Sequence, residues 1–247
     1  MKKIKYLLRV VFLIVLVVGA IWFFNRLEER QSVPVIENPE GSLSIVDSDP
    51  GTIPGYSGED QVILNDNIPC FTKYDLENAA GETYSDLDGL GRCHTAIAML
   101  DQSMTPVHER EYDALKAVTP SGYRQKKYPG IIDSDPPYLY NRCHLIAYAM
   151  TGQTANEKNL ITGTHHMNTV TMLPYEEQIL RYLYNSGNHV LYRVSPYFKG
   201  RELVAIGLEL EAYSVEDHGA GLCFHVFIYN VQPGIVIDYA TGDSWKN

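Results

Sequence analysis

Residues 138–181 read YLYNRCHLIAYAMTGQTANEKNLITGTHHMNTVTMLPYEEQILR, and their order decides the fold. Tyr138-Leu-Tyr140 is strand-like and runs directly into Asn141-Arg-Cys-His144. Side chains two apart on a strand face the same way, so Arg142 and His144 share a face. Asn159 and Asn168 follow in a loop-like stretch. Pro174, with Glu176, Ile179, Leu180 and Leu183 behind it, predicts a helix opened by proline in its first turn.

Downstream, three β-type runs are expected at His189–Val194, Leu203–Tyr213 and Leu222–Val231, with Glu216–Gly221 as a hairpin loop. Upstream, residues 94–100 read as a strand and Arg110–Ala117 as a short helix, and Thr119-Pro-Ser-Gly122 breaks the pattern. The expected class is α+β with a mostly antiparallel sheet. The globular domain is expected over residues 67–247. Residues 31–66 are rich in Pro, Gly, Ser and acids and read as a flexible extracellular linker. Residues 1–30 read as an N-terminal transmembrane helix: Val10–Phe24 carries no charge, and Lys2, Lys3, Lys5 and Arg9 precede it. That asymmetry puts the N-terminus in the cytoplasm and the domain outside the cell membrane. The alternative is a signal peptide cleaved near Val18-Gly19-Ala20, which would leave a secreted protein.

The chain has 247 residues, 45% hydrophobic and 20% charged, which excludes a disordered chain and a fully membrane-embedded one. The net charge is −10, and beyond residue 30 the chain holds 14 basic and 28 acidic residues. A basic scaffold that coats polyanions is excluded. Two segments depart from this balance. Residues 114–132 hold no acid but include Lys116, Arg124, Lys126 and Lys127, and Glu157 is the only acid from Tyr138 to Tyr175. Locally basic walls suit a groove that receives a phosphate backbone. Outside the membrane Cys70, Cys93, Cys143 and Cys223 could pair, Cys93 with Cys143 among the options; the alternative is buried free thiols. No C-x2-C or H-x3-H spacing points to zinc.

The combination Asn141-Arg-Cys-His144, Asn159-x8-Asn168 and Glu176 resembles the DNA/RNA non-specific endonuclease family. These are the ββα-metal nucleases, which include the secreted Serratia-type nuclease and the streptococcal membrane-anchored DNA-entry nucleases. The likeness runs from Asn67 to Asp243 and takes in Thr119-Pro-Ser-Gly122, Asn159–Thr164 and Tyr229–Gly234. It implies a ββα-metal catalytic core and a Mg²⁺ cofactor, with Mn²⁺ able to substitute. It also implies hydrolysis of DNA or RNA with little sequence preference and 5′-phosphate products. His144 is implied as general base, Arg142 as a phosphate contact and Asn168 as the direct metal ligand. Asn159 would orient the phosphate or the water shell of the metal, and Glu176 would hold that water shell. Arg124, Lys126 and Lys127 are expected to bind substrate. The family's helix arginine, four residues past the acid, falls on Leu180, so the role passes to Arg181 one residue on. Asn141 and Cys143 stand where the family has Asp and Gly. Expected partners are nucleic acid through its phosphates, the membrane and an inhibitor protein. The chemistry is consistent: an imidazole of ordinary pKa ~6.5 can accept a proton from water at neutral pH. The alternative is a catalytically silent nucleic-acid-binding surface module on the same fold.

Overall fold

Three long strands supply the frame: β6 (Val190–Tyr197), β7 (Gly207–Ser214) and β8 (Cys223–Tyr229). In this computed structural model, which describes residue 43 and residues 53–247, they form one sheet with β3 (Ala96–Leu100), β2 (Gly81–Tyr84) and β1 (Gln61–Ile63). The six strands lie in the order β1-β8-β7-β6-β3-β2, and each pairing is antiparallel. The α+β class with a mostly antiparallel sheet stands. The expected membrane segment lies outside the described residues. Among those described, no helix is long and apolar enough to cross a membrane.

The expected boundary at residue 67 is corrected: Gln61–Ile63, assigned to the linker, pairs with Val226–Ile228 as an edge strand. Only three residues long, it carries no periodicity to mark it in sequence. The second of the three expected β-type runs also starts later, because residues 203–206 lie outside β7.

Period-2 alternation gives the sheet two different faces. Leu208, Leu210, Ala212, Phe224, Val226 and Ile228 line one face and pack with Ile179 and Leu183 of the helix Leu173–Ser186. Truncating either helix residue to Ala would cost about 2–5 kcal/mol. The opposite face carries Arg193, Glu209, Glu211 and His225, all buried, beneath Phe71 and the helix Lys73–Asn78. That helix starts with a capping box between Thr72 and Asp75, a device whose loss costs about 1 kcal/mol.

A second, two-stranded sheet pairs β4 (Tyr140–His144) with β5 (Leu160–Thr164), setting Arg142 opposite Thr162 and His144 opposite Leu160. A π-helical turn, Met167–Met172, leads into the helix Leu173–Ser186, with Pro174 in its first turn. Buried Asn230 ties this unit to the large sheet: its oxygen accepts from Thr164 N–H at 2.8 Å, and its amide donates to the carbonyls of Thr162 and Ala205 at 2.9 and 3.0 Å. The last strands, β9 (Ile235–Ile237) and β10 (Ser244–Lys246), form a short hairpin.

Candidate active site

An open groove of about 790 Å³ runs along β4 and the start of the long helix. Tyr140, Asn141, Arg142 and His144 of β4 line it, while Cys143 points into the core. Gly163 makes room for that thiol, since a Cβ at 163 would lie 2.6 Å from the Cβ of Cys143. A Cys where the family has Gly is therefore matched by a Gly on the neighbouring strand. Asn168, on the π-helical turn, and Glu176, on the first turns of the helix, line the groove as well. An inserted residue in a helix redirects the side chains around it, and such turns concentrate at functional sites.

His144 is 6% exposed. Its Nε2 lies 3.0 Å from the carbonyl oxygen of Thr154, so this nitrogen carries the proton and donates it. Nδ1 of the neutral ring then keeps its lone pair. Burial first, and then the charge of Arg110, pulls the imidazole down to about 4, against the carbonyls of Thr154 and Gln153, which favour its protonation. The ring is neutral at physiological pH. Burial acts oppositely on an acid. It pushes the Glu176 carboxyl up to about 7, with Arg110 opposing and Glu177 reinforcing, and no hydrogen bond contributes.

That carboxyl tests whether a cation fits. Glu176 is half-buried and its one charged helper is Arg110; a partly desolvated carboxylate favours further positive charge close by, and the Asn168 carboxamide in the same groove adds an oxygen donor. Hard oxygen donors with open space around them suit Mg²⁺, which keeps several waters. A separate group, Cys70, Glu211 and His225, could geometrically hold a metal. It lies on the sheet face turned away from the groove, and its atoms already have partners. His225 Nε2 meets Glu209 at 2.5 Å and its Nδ1 meets Ile68 O at 2.9 Å, while Glu211 is bound by Arg193 at 2.6 Å. It is a buried ionic network.

Arg142 is held from three sides. It donates to Val118 O at 2.6 Å, to the Tyr123 hydroxyl at 3.3 Å and to Lys116 O at 3.4 Å, and it stacks 4.5 Å from the Tyr123 ring centroid. A guanidinium has five N–H donors, so two stay free to meet a phosphate.

Several expected site residues are elsewhere. Asn159 is fully buried and outside the groove lining. Its oxygen accepts from Ile146 N–H at 2.8 Å, and its amide donates to Ile146 O at 3.0 Å and Gln153 Oε1 at 3.1 Å. Both amide hydrogens and the oxygen are spent on the chain beside His144, so Asn159 does not reach the groove to orient a phosphate or a metal's water shell as expected. Arg181 is exposed and off the groove: five residues past Glu176 is ~140° around a helix, whereas Leu180 packs on the core. Arg124 pairs with Asp243 at 3.3 Å, and Lys126 donates to Ser244 O at 2.8 Å, both outside the groove lining. Lys127 stands at the rim, 5.0 Å from the ring centroid of Tyr138, which does line the groove. All four cysteines are free, with Cys93 and Cys143 buried, so the thiol alternative holds.

Arg110 is the groove residue that sequence reasoning missed. It packs 4.8 Å from the Tyr148 ring centroid, and its charge acts on both His144 and Glu176. Flanked by Glu109 and Glu111 and belonging to no spacing pattern, it gave no sequence signal.

Comparison with known proteins bears on this geometry. The family model for DNA/RNA non-specific endonuclease matches residues 72–216. The crystal structure of NucA from Streptococcus agalactiae with magnesium ion bound is similar at a TM-score of 0.64 and 28% identity, covering 75% of this chain and 86% of that one. The same protein with no metal bound gives a TM-score of 0.65 and 27% identity, covering 80% and 92%. The Sda1 nuclease with bound zinc ion shares the fold, with a TM-score of 0.55 and 24% identity over 68% of this chain and 82% of that one.

Proposed function

The chain belongs to the DNA/RNA non-specific endonuclease family, and from that premise we propose a Mg²⁺-dependent endonuclease in which His144 is the general base. The observation that carries this reading is the convergence of His144, Arg142, Asn168 and Glu176 on one groove. Asn168 and Glu176 are the residues that would hold the ion, with Mn²⁺ as an acceptable substitute. When bound, it supplies positive charge to the phosphate and to the departing oxygen.

The chain's own groups do the rest. The Thr154 carbonyl fixes the His144 tautomer, and Nδ1 takes the proton from the attacking water. General-base catalysis of this kind is worth about 10²–10⁴-fold. Arg142 offers its two free N–H groups to a non-bridging oxygen. Arg110 adds a second cation to the same wall. Contacts to phosphate rather than to base edges read no sequence, which suits DNA and RNA alike. The products carry 5′-phosphates. The hydrophobic run before the domain and the basic residues ahead of it support action outside the membrane; an inhibitor protein in the producing cell belongs to the same reading.

The test is plasmid and RNA cleavage by the full chain with Mg²⁺ or with EDTA. Cleavage in Mg²⁺ alone, lost in His144→Ala, is expected. Wild-type protein that binds DNA yet leaves it as intact as His144→Ala does would establish the silent binding module instead.

A further inference from the structure

We propose that Tyr138 is a stacking platform for one unpaired nucleobase, which makes single-stranded or locally melted nucleic acid the preferred substrate of the groove. The inference rests on the nuclease reading above and names its substrate class.

Three aromatic rings line the groove, and they differ in what they leave open. Tyr140 is 1% exposed. The ring of Tyr123 is covered by the guanidinium of Arg142 at 4.5 Å. Tyr138 is 38% exposed. Lys127 sits 5.0 Å from its centroid, so an ammonium meets the ring while more than a third of the residue stays open to solvent. The backbone beneath it is fixed. Tyr138 N–H donates to Pro136 O at 2.8 Å, and the residue forms an antiparallel bridge with Lys127. An exposed tyrosine on the outer surface would need no explanation. This one stands inside a groove whose walls also carry Arg110, Lys116 and Arg142. Aromatic rings interleaved with cations along a groove are how proteins hold single strands: the cations track the phosphates and the rings stack the bases.

A base inside a duplex has both faces covered by its neighbours, and bringing it to a ring costs its pairing and stacking. A single strand loses no pairing and only its weaker, partial stacking. Tyr138 precedes His144 by six residues, at most about 20 Å at ~3.3 Å per residue. Within that reach the ring takes a base other than the one at the cut, and its loss then falls on binding rather than on the chemical step.

The test compares full-chain wild type, Tyr138→Ala and Tyr138→Phe in Mg²⁺, on a single-stranded oligonucleotide and on the same sequence as a duplex. The Ala variant is expected to raise KM for the single strand at least about 5-fold, the low end for one stacked base, with kcat and duplex cleavage within twofold. Phe is expected to restore single-strand KM. In parallel, a 2-aminopurine oligonucleotide added to His144→Ala protein should be quenched on binding, with the quench absent in the Tyr138→Ala double variant. Equal loss on single strand and duplex, a kcat loss alone, or an unchanged quench would overturn the proposal. If wild type cuts neither substrate, the nuclease reading fails, and the quench still decides Tyr138 by itself.

Discussion

Asn159→Asp separates a positioning residue from a substrate contact. The substitution keeps the shape and the oxygen that accepts from Ile146 N–H. It replaces the two N–H donors that serve Ile146 O and Gln153 Oε1 with a carboxyl that, buried between two acceptors, keeps at most one O–H donor. One buried acceptor left unpaired costs about 1–3 kcal/mol and an ionised carboxylate there costs more, so a loss near ~3 kcal/mol is expected. At about 2–4 °C per kcal/mol for a domain of this size, Tm should fall by about 6–12 °C. Gln153 is also the neighbour of Thr154, whose carbonyl fixes the His144 imidazole. With that anchor loosened, kcat should fall by about 10–100-fold, as small misplacements of reacting groups do. The assay is thermal melting together with kcat and KM over a salt series. A phosphate contact would behave differently: KM would rise and its salt dependence would change, while Tm stayed put. An Asn159→Asp variant as stable as wild type, with raised KM, would refute the positioning role.

Arg110→Ala removes the cation that depresses both groove groups, so the acidic limb of the pH–rate profile should move to higher pH as the His144 pKa rises toward its ordinary value; an unmoved limb would remove Arg110 from the site. Arg181→Ala should leave cleavage within twofold and stability within about 0.5 kcal/mol, as for other exposed substitutions, and a tenfold activity loss would return it to the site. His225 offers a test of pH-dependent stability. Burial pulls its pKa down, but Cys70, Glu209 and Glu211 outweigh that and hold it at about 10, against 6.5 in the unfolded chain. Stability from this proton is complete below about pH 6.5 and is lost as pH rises through about 10. Denaturant titrations should show a decline across that window that His225→Gln abolishes.

What is readable in the sequence is whatever follows from one-dimensional spacing. Period-2 alternation puts Arg142 and His144 on one face, and Pro174 opens the helix that carries Glu176. What is not readable depends on the third dimension. Asn159 looks like Asn168 in sequence; only the fold shows that one amide is consumed by the backbone at Ile146 and the other reaches the groove. Arg181 is one residue out of phase, and on a helix one residue is ~100°. Arg110 comes from a segment with no pattern of its own and reaches the site only through packing. Edge strand β1 reads as linker because three residues cannot display an alternation.

The acid–base assignment comes from one physical cause acting on two chemistries. Burial disfavours charge, so it lowers the imidazole to about 4 and raises the carboxyl to about 7. The protein's own environment thus gives a histidine that sheds its proton and a glutamate that tends to keep one. Arg110 pushes both values down, which keeps the imidazole neutral and brings ionised Glu176 within reach of neutral pH. A histidine at the same place in a solvated groove would titrate near its ordinary value and be partly protonated, hence idle as a base, in mildly acidic surroundings. Two buried carboxamides hold the frame of this site without lining the groove: Asn159 ties down Ile146, two residues past His144, and Asn230 ties Thr162 and Thr164 of β5 to Ala205 beside the large sheet.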